Sequence, residues 1–169
     1  MADIALIVLA AGKGTRMKSA LPKVMHRVAG RSLLGHVLSA STGLSPKLAV
    51  VVVGPDMGSV GEEARRYFPD CAVAIQEERK GTAHAVSMAK ESLAGFSGTV
   101  LVLYADVPLI QAATISALAG KVDMDTVAAV LGFEAADPTG YGRLFKTKSG
   151  SIGAIREELD TSPDRKSVG

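Results

Sequence analysis

The sequence predicts an α/β fold, a layered and mostly parallel sheet with helices on both faces. Three observations carry that expectation. Short apolar runs rich in Val, Leu, Ile and Ala recur along the chain and are apolar at both parities, as suits strands covered on both faces. Segments of helical period separate these runs, so strands and helices alternate, the order of a right-handed parallel sheet. Aromatics are only 4% and Trp is absent, leaving the core to aliphatic side chains.

The first strand is expected at IALIVLA (4–10), followed by a glycine-rich loop. SLLGHVLSAS (32–41) sets Leu33, Leu34, Val37 and Leu38 on one helical face. KLAVVVVG (47–54) is the second strand. GSVGEEARRYF (58–68) then gathers Val60, Ala64 and Tyr67 opposite its charges. CAVAI (71–75) is the third strand, and GTAHAVSMAKESL (81–93) a helix with Ala85, Met88, Ala89 and Ser92 at helical spacing. TVLVLYA (99–105) is the fourth strand. AATISALAG (112–120) is a short helix with Gly120 as its C-cap, and DTVAAVLGF (125–133) a fifth strand. After Pro138 the sequence turns polar and Gly-rich, and 156–169 has no apolar periodicity to order it.

The 169 residues suit one domain. With 47% hydrophobic and 21% charged residues, a packed core is expected and disorder is not. A formal charge of +2 is too mild for a nucleic-acid surface. Cys71 is the single cysteine, which rules out an intrachain disulfide and a multi-cysteine zinc site and favours a reducing compartment. No basic segment precedes the short apolar stretch Ile4–Ala11, and no run reaches membrane-spanning length. A soluble, cytoplasmic protein with no membrane partner is expected.

Candidate chemistry gathers in LAAGKGTRMKSALPKVMH (9–26). Gly12 and Gly14 permit backbone angles and close approaches that a Cβ would obstruct, and Ala10 and Ala11 keep the strand end narrow. A loop leaving a strand in this way aims N–H groups at an anion, with Lys13, Arg16, Lys18 and Lys23 to neutralise a polyphosphate. It is neither a GxxxxGK[ST] loop nor a dinucleotide fingerprint, since Met17 stands where a third glycine would fall. The alternative is a solvated turn with scattered lysines. In open α/β sheets ligands collect beyond the carboxyl ends of strands, so LAAGKG and YADVPL are expected to face one crevice at a switch point.

LAAGKGTRM followed by LPKVMHRVAG, then QEERKGTAHAV (76–86), LYADVPL (103–109) and DPTGYGR (137–143), resembles the sugar-nucleotide pyrophosphorylases. The resemblance is greatest to the uridylyltransferase domain of the bacterial bifunctional UDP-N-acetylglucosamine pyrophosphorylase/acetyltransferase family. AIREELD (154–160) is a fainter echo of that family's acidic segment. It implies a Rossmann-like sheet of the nucleotide-diphospho-sugar transferase type. It also implies attack by the phosphate of N-acetylglucosamine 1-phosphate on the α-phosphorus of UTP, with loss of pyrophosphate, supplying cell-envelope polysaccharide precursors. Such chemistry rests on positioning and electrostatics rather than a covalent nucleophile. Another sugar 1-phosphate, or a nucleotide-binding module without turnover, are the alternatives.

The resemblance also assigns roles. Leu9, Ala10, Ala11 and Gly12 would line the nucleotide; Arg16 would hold the triphosphate, and Lys23 would neutralise phosphate near the reacting centre. Gln76, Gly81 and Thr82 would read the uracil. Asp106 would ligate Mg²⁺, which takes few carboxylates plus phosphate oxygens and water; otherwise it is a turn aspartate before Pro108. Tyr104, Ala105, Gly142 and Glu157 would meet the sugar, although a Tyr at a strand end is often packing. His84 is equally a structural hydrogen-bonder or a site residue. Ala105 stands where the family usually has Gly, and Arg156 where it has an apolar residue. The chain stops at Gly169, before two asparagines for sugar and metal, and without the β-helix acetyltransferase domain through which the family oligomerises. A transferase domain over 1–169, incomplete at its C-terminus, is therefore expected, either a fragment or a naturally short relative.

Overall fold

Alternate residues of a strand point to opposite faces of its sheet, and the first apolar run fills both. In the computed structural model, which describes residues 2–78 and 80–156, this run forms β1 (Ile4–Leu9). Leu6 and Val8 join one hydrophobic cluster and Ile7 another. A tiny antiparallel hairpin follows, β2 (Arg27–Val28) with β3 (Arg31–Ser32). Its turn residues Ala29 and Gly30 both have positive φ, 49° and 81°, the twist that a two-residue hairpin needs. Next come α1 (Leu33–Ser41), β4 (Leu48–Val53), α2 (Gly58–Arg65), β5 (Ala72–Ile75), α3 (Thr82–Met88), β6 (Thr99–Tyr104) and α4 (Ala112–Ala119).

The four longer strands pair in parallel in the order β5-β4-β1-β6. One face meets Leu34, Val37 and Leu38 of α1, Val60 and Ala64 of α2, and Ile115 of α4. The other meets Ala85 of α3, and Ala89 just beyond it. Both faces are thus covered, which is why the strands read as continuous apolar runs. Leu6, Ile7, Leu34, Leu38 and Ile115 are wholly buried, each contributing about 1.5–3 kcal/mol of hydrophobic stabilisation. At the start of α1 the Ser32 hydroxyl accepts from the Gly35 N–H at 2.9 Å, a cap worth about 1 kcal/mol.

Two expectations are revised. The helix expected over 81–93 ends at Met88, with a separate 3-10 turn at Glu91–Leu93. Gly120 is the C-cap of α4 as expected, in right-handed geometry at φ −73°; its N–H donates to Ser116 O at 3.0 Å and the Lys121 N–H to Leu118 O at 3.1 Å, which tightens the last turn. The fifth strand, 125–133, does not form. Apolar character permits burial, but a strand also needs a neighbour to take its backbone groups, and this segment pairs with none among the described residues. Asp123 Oδ1 instead accepts from the N–H groups of Asp125 and Thr126, which hold the Asp123 carboxyl below the usual range, Thr126 most strongly. Val127, Leu131 and Phe133 are exposed.

Two compact units result, Met1–Ala129 and Val130–Gly169. The second contains a hairpin that the sequence reading did not anticipate, β7 (Arg143–Lys146) antiparallel to β8 (Ile152–Arg156), with a register shift at Phe145/Lys146. Among the described residues, no helix is long and apolar enough to cross a membrane.

Candidate active site

β4 and β5 lie to one side of β1 and β6 to the other, so the connections diverge at β1. A crevice forms at such a point beyond the strand ends. Backbone bonds tie those ends together. Ala105 N–H donates to Leu9 O at 3.0 Å, Ala10 N–H to Val52 O at 2.8 Å and Gln76 N–H to Val53 O at 2.8 Å. Above them lies a cavity of about 610 Å³, a volume suited to a small-molecule ligand.

Leu9, Ala10, Ala11, Gly12, Arg16, Lys23, Gln76, Gly81, Thr82, Tyr104 and Asp106 all line this cavity. Loops from three strand ends therefore converge, although 97 positions separate Leu9 from Asp106 (106 minus 9). Of the loop cations only Arg16 and Lys23 reach it, whereas Lys13 and Lys18 do not. The difference lies in the loop's turns. Gly14, at φ 61°, starts a 3-10 turn over Thr15–Met17, which Lys18 closes at φ 46°. Lys23 opens a second 3-10 turn after Pro22, and the next residue, Val24, is buried. The proline's fixed φ before Lys23 and the core anchor after it restrict where the ammonium reaches. Its Nζ donates to Asp106 Oδ2 at 2.6 Å.

Gln76 sits one residue past β5 and is buried. Its Nε2 lies 3.2 Å from Gly81 O and 3.1 Å from His84 Nδ1. Gly81 takes φ 96°, in the region that favours glycine, and its carbonyl also accepts from the Ala85 N–H at 3.1 Å.

Ala105 is the sugar-lining candidate that the geometry sets apart. It is wholly buried in the core cluster and does not line the cavity. The alternation of β6 sends Tyr104 and Asp106 to the cavity and the residue between them inward. That period was the signal available in YAD. Gly142 lies in the second unit, just before β7. There Asp137 Oδ1 accepts from the Thr139 N–H at 3.0 Å, contacts with Thr139 hold the Asp137 carboxyl below its usual range, and Phe133 and Tyr141 stack edge-to-face at 5.0 Å. Glu157 lies outside the described residues. The sequence reading did not anticipate Thr15, Met17, Val24 and Ala85 as lining residues; the helical spacing of Thr82 and Ala85 could have found the last.

A smaller hollow of about 310 Å³ lies beyond the Lys23 turn, between Met25, His26, Glu63 and Arg66. There Glu63 accepts from the Ser32 hydroxyl at 2.6 Å and pairs with Arg66 at 3.0 Å. Among the described residues no group of three or more His, Cys, Asp or Glu could hold a metal ion.

The chain as a whole has known relatives. A model of the MobA-like NTP transferase domain matches residues 6–159. The chain belongs to the MobA-like NTP transferase domain family. This NTP transferase domain is 50% identical over 166 residues to the bifunctional protein GlmU of Azorhizobium caulinodans, covering 98% of this chain and 37% of that protein. It is 51% identical over 158 residues to the bifunctional protein GlmU of Rhodopseudomonas palustris, covering 94% of this chain and 35% of that protein. The chain thus spans little more than a third of these curated relatives. Among solved structures, the inositol-1-phosphate CTP transferase of T. maritima matches with TM-score 0.53 and 22% identity, over 60% of this chain and 43% of that one. A Mycobacterium tuberculosis protein solved in complex with manganese matches with TM-score 0.55 and 18% identity, over 69% and 57%. The fold is the Rossmann-like nucleotide-diphospho-sugar transferase type, and the NTP transferase domain is a nucleotidyltransferase.

Proposed function

We propose that this domain transfers a uridylyl group from UTP to N-acetylglucosamine 1-phosphate. A phosphate oxygen of the sugar phosphate bonds to the α-phosphorus of UTP as the bond from that phosphorus to the bridging oxygen breaks. UDP-N-acetylglucosamine forms and pyrophosphate leaves. The observation that carries the reading is the convergence of Arg16, Lys23, Gln76 and Asp106 on one cavity, in a chain half identical to bifunctional GlmU proteins.

An anionic nucleophile must approach an anionic phosphorus, so the site's first task is to offset charge. Arg16 grips triphosphate oxygens with its planar fork, and Lys23 supplies a movable point charge beside the reacting phosphate. Backbone from Leu9 to Gly12 lies along the nucleotide, and Gln76, Gly81 and Thr82 meet the base. Tyr104 lines the sugar side.

Asp106 fits a magnesium ion. Its carboxylate offers hard oxygens on the cavity rim, its side chain is 36% exposed, and Mg²⁺ accepts one or two carboxylates when phosphate and water complete its shell. Bound there, the ion would neutralise charge on the phosphates. Lys23, which donates to the same carboxylate, would then be released toward phosphate.

The test is pyrophosphate release by the full chain with UTP, Mg²⁺ and a panel of sugar 1-phosphates. Release that is fastest with N-acetylglucosamine 1-phosphate is the expected result. UTP binding without release for any sugar would make the domain a non-catalytic binder and overturn the reading.

A further inference from the structure

Gln76 can discriminate between bases only if something decides which end of its amide faces the ligand. An amide carries a donor NH₂ and an acceptor oxygen of similar shape, and one that rotates freely accepts either hydrogen-bonding pattern. The Gly81 carbonyl can only accept. Its 3.2 Å approach to Gln76 therefore requires the NH₂ end on that side. The same nitrogen lies 3.1 Å from His84 Nδ1. An amide NH₂ has no lone pair to offer, so Nδ1 must accept, and the imidazole proton must sit on Nε2. Both amide hydrogens are then engaged. Only the Gln76 oxygen is left for a ligand in the cavity that this side chain lines.

We infer that His84, held as the neutral Nε2–H tautomer, is a positioning residue that locks the Gln76 amide with its oxygen toward the base and so sets selection of uracil over cytosine. The inference rests on the proposed uridylyl transfer and adds the residue that makes its base selection one-sided. Uracil presents N3–H as a donor between two carbonyls; cytosine presents a bare N3 acceptor. A fixed acceptor matches the first and opposes the second. A buried polar group facing the wrong partner is left unpaired, which is how a site rejects a close analogue strongly.

The arrangement is local in origin. His84 stands two residues into α3 after Thr82, which puts its ring back toward the helix start and so toward the Gly81 carbonyl and Gln76. Gly81 itself, at φ 96°, turns the chain so that one carbonyl both begins the helix by accepting from Ala85 and holds the amide. The motif GTAH thus supplies a carbonyl acceptor and a ring acceptor to one NH₂.

Two measurements test this on the full chain. Long-range ¹H–¹⁵N NMR at about pH 8, above the ordinary imidazole range, reads the His84 tautomer directly. Proton on Nε2 with bare Nδ1 is expected, and a proton on Nδ1 overturns the inference. Calorimetric binding of UTP and CTP then compares wild type with His84→Leu and His84→Asn. Leu removes the acceptor; Asn restores one, its Oδ1 sitting the same number of bonds from Cβ as Nδ1. The UTP:CTP affinity ratio should fall about tenfold or more in His84→Leu, equivalent to about 1.4 kcal/mol, and stay within about threefold of wild type in His84→Asn. A ratio unchanged in His84→Leu refutes the positioning role alone. A wild type with no preference for UTP refutes the uridylyl reading, and the base selection assigned to His84 with it.

Discussion

Lys23 and Asp106 are 83 residues apart in the chain and 2.6 Å apart at the cavity rim. Their side chains are 38% and 36% exposed, so solvent screens the pair and its contribution to stability is at most about 1 kcal/mol. In the proposed uridylyl transfer its value is functional: it keeps a cation and the candidate metal ligand within reach of one phosphate chain. Asp106→Asn should leave thermal stability within about 1 kcal/mol of wild type. It should weaken Mg²⁺-dependent UTP binding about tenfold, read by titration with and without the ion. Unchanged metal dependence would remove Asp106 as the ligand. At this scale the sequence was only partly legible. Arg16 and Lys23 were identified among similar neighbours, but nothing in composition separates them from Lys13 and Lys18. Two left-handed residues and a core-anchored 3-10 turn decide which side chains face the cavity. His84 was undecided because its meaning depends on a carbonyl three residues earlier being turned toward Gln76.

Among the elements, the loop after β1 makes the sharpest prediction. Gly12 and Gly14 look equivalent in GKG, yet a Cβ on Gly12 would meet nothing within 4 Å. On Gly14, at φ 61°, a Cβ would lie 2.5 Å from Lys23 Cβ. Gly14→Ala therefore combines left-handed strain of about 1–2 kcal/mol with a clash that displaces the Lys23 turn. Denaturant unfolding should show that loss, together with weaker UTP binding. Gly12→Ala should fold with wild-type stability and lose binding alone, because its proposed role is close backbone approach to the ligand. Equal stability of the two variants would contradict this division. Strands and helices were legible where burial alone defines them, as in IALIVL and LAVVVV. The segment 125–133 was not, since an apolar run reports what can be buried and not whether a neighbouring strand is there to pair with it. The β7–β8 hairpin was missed for the opposite reason: a short ladder of mixed polarity is held by backbone pairing that composition does not display.

On the scale of the molecule, two hydrophobic clusters clamp one parallel sheet from both faces, and the ends of β1, β5 and β6 open toward the same cavity. The sheet's order places the end of β1 at the divergence of the connections, so the crevice follows from topology and the chemistry from the loops that end there. This much could be anticipated from the alternation of runs, because parallel order and site placement are linked. This cavity, rather than another surface of the domain, is proposed to bind a nucleoside triphosphate. A chain of 17.4 kDa is well suited to amide and methyl NMR, and titration of the ¹⁵N,¹³C-labelled protein with UTP and Mg²⁺ tests the claim directly. Shifts should concentrate at Leu9 to Met17, Lys23, Gln76, Gly81 to Ala85, Tyr104 and Asp106. Shifts absent from these residues, or gathered instead around His26, Glu63 and Arg66 in the smaller hollow, would contradict it.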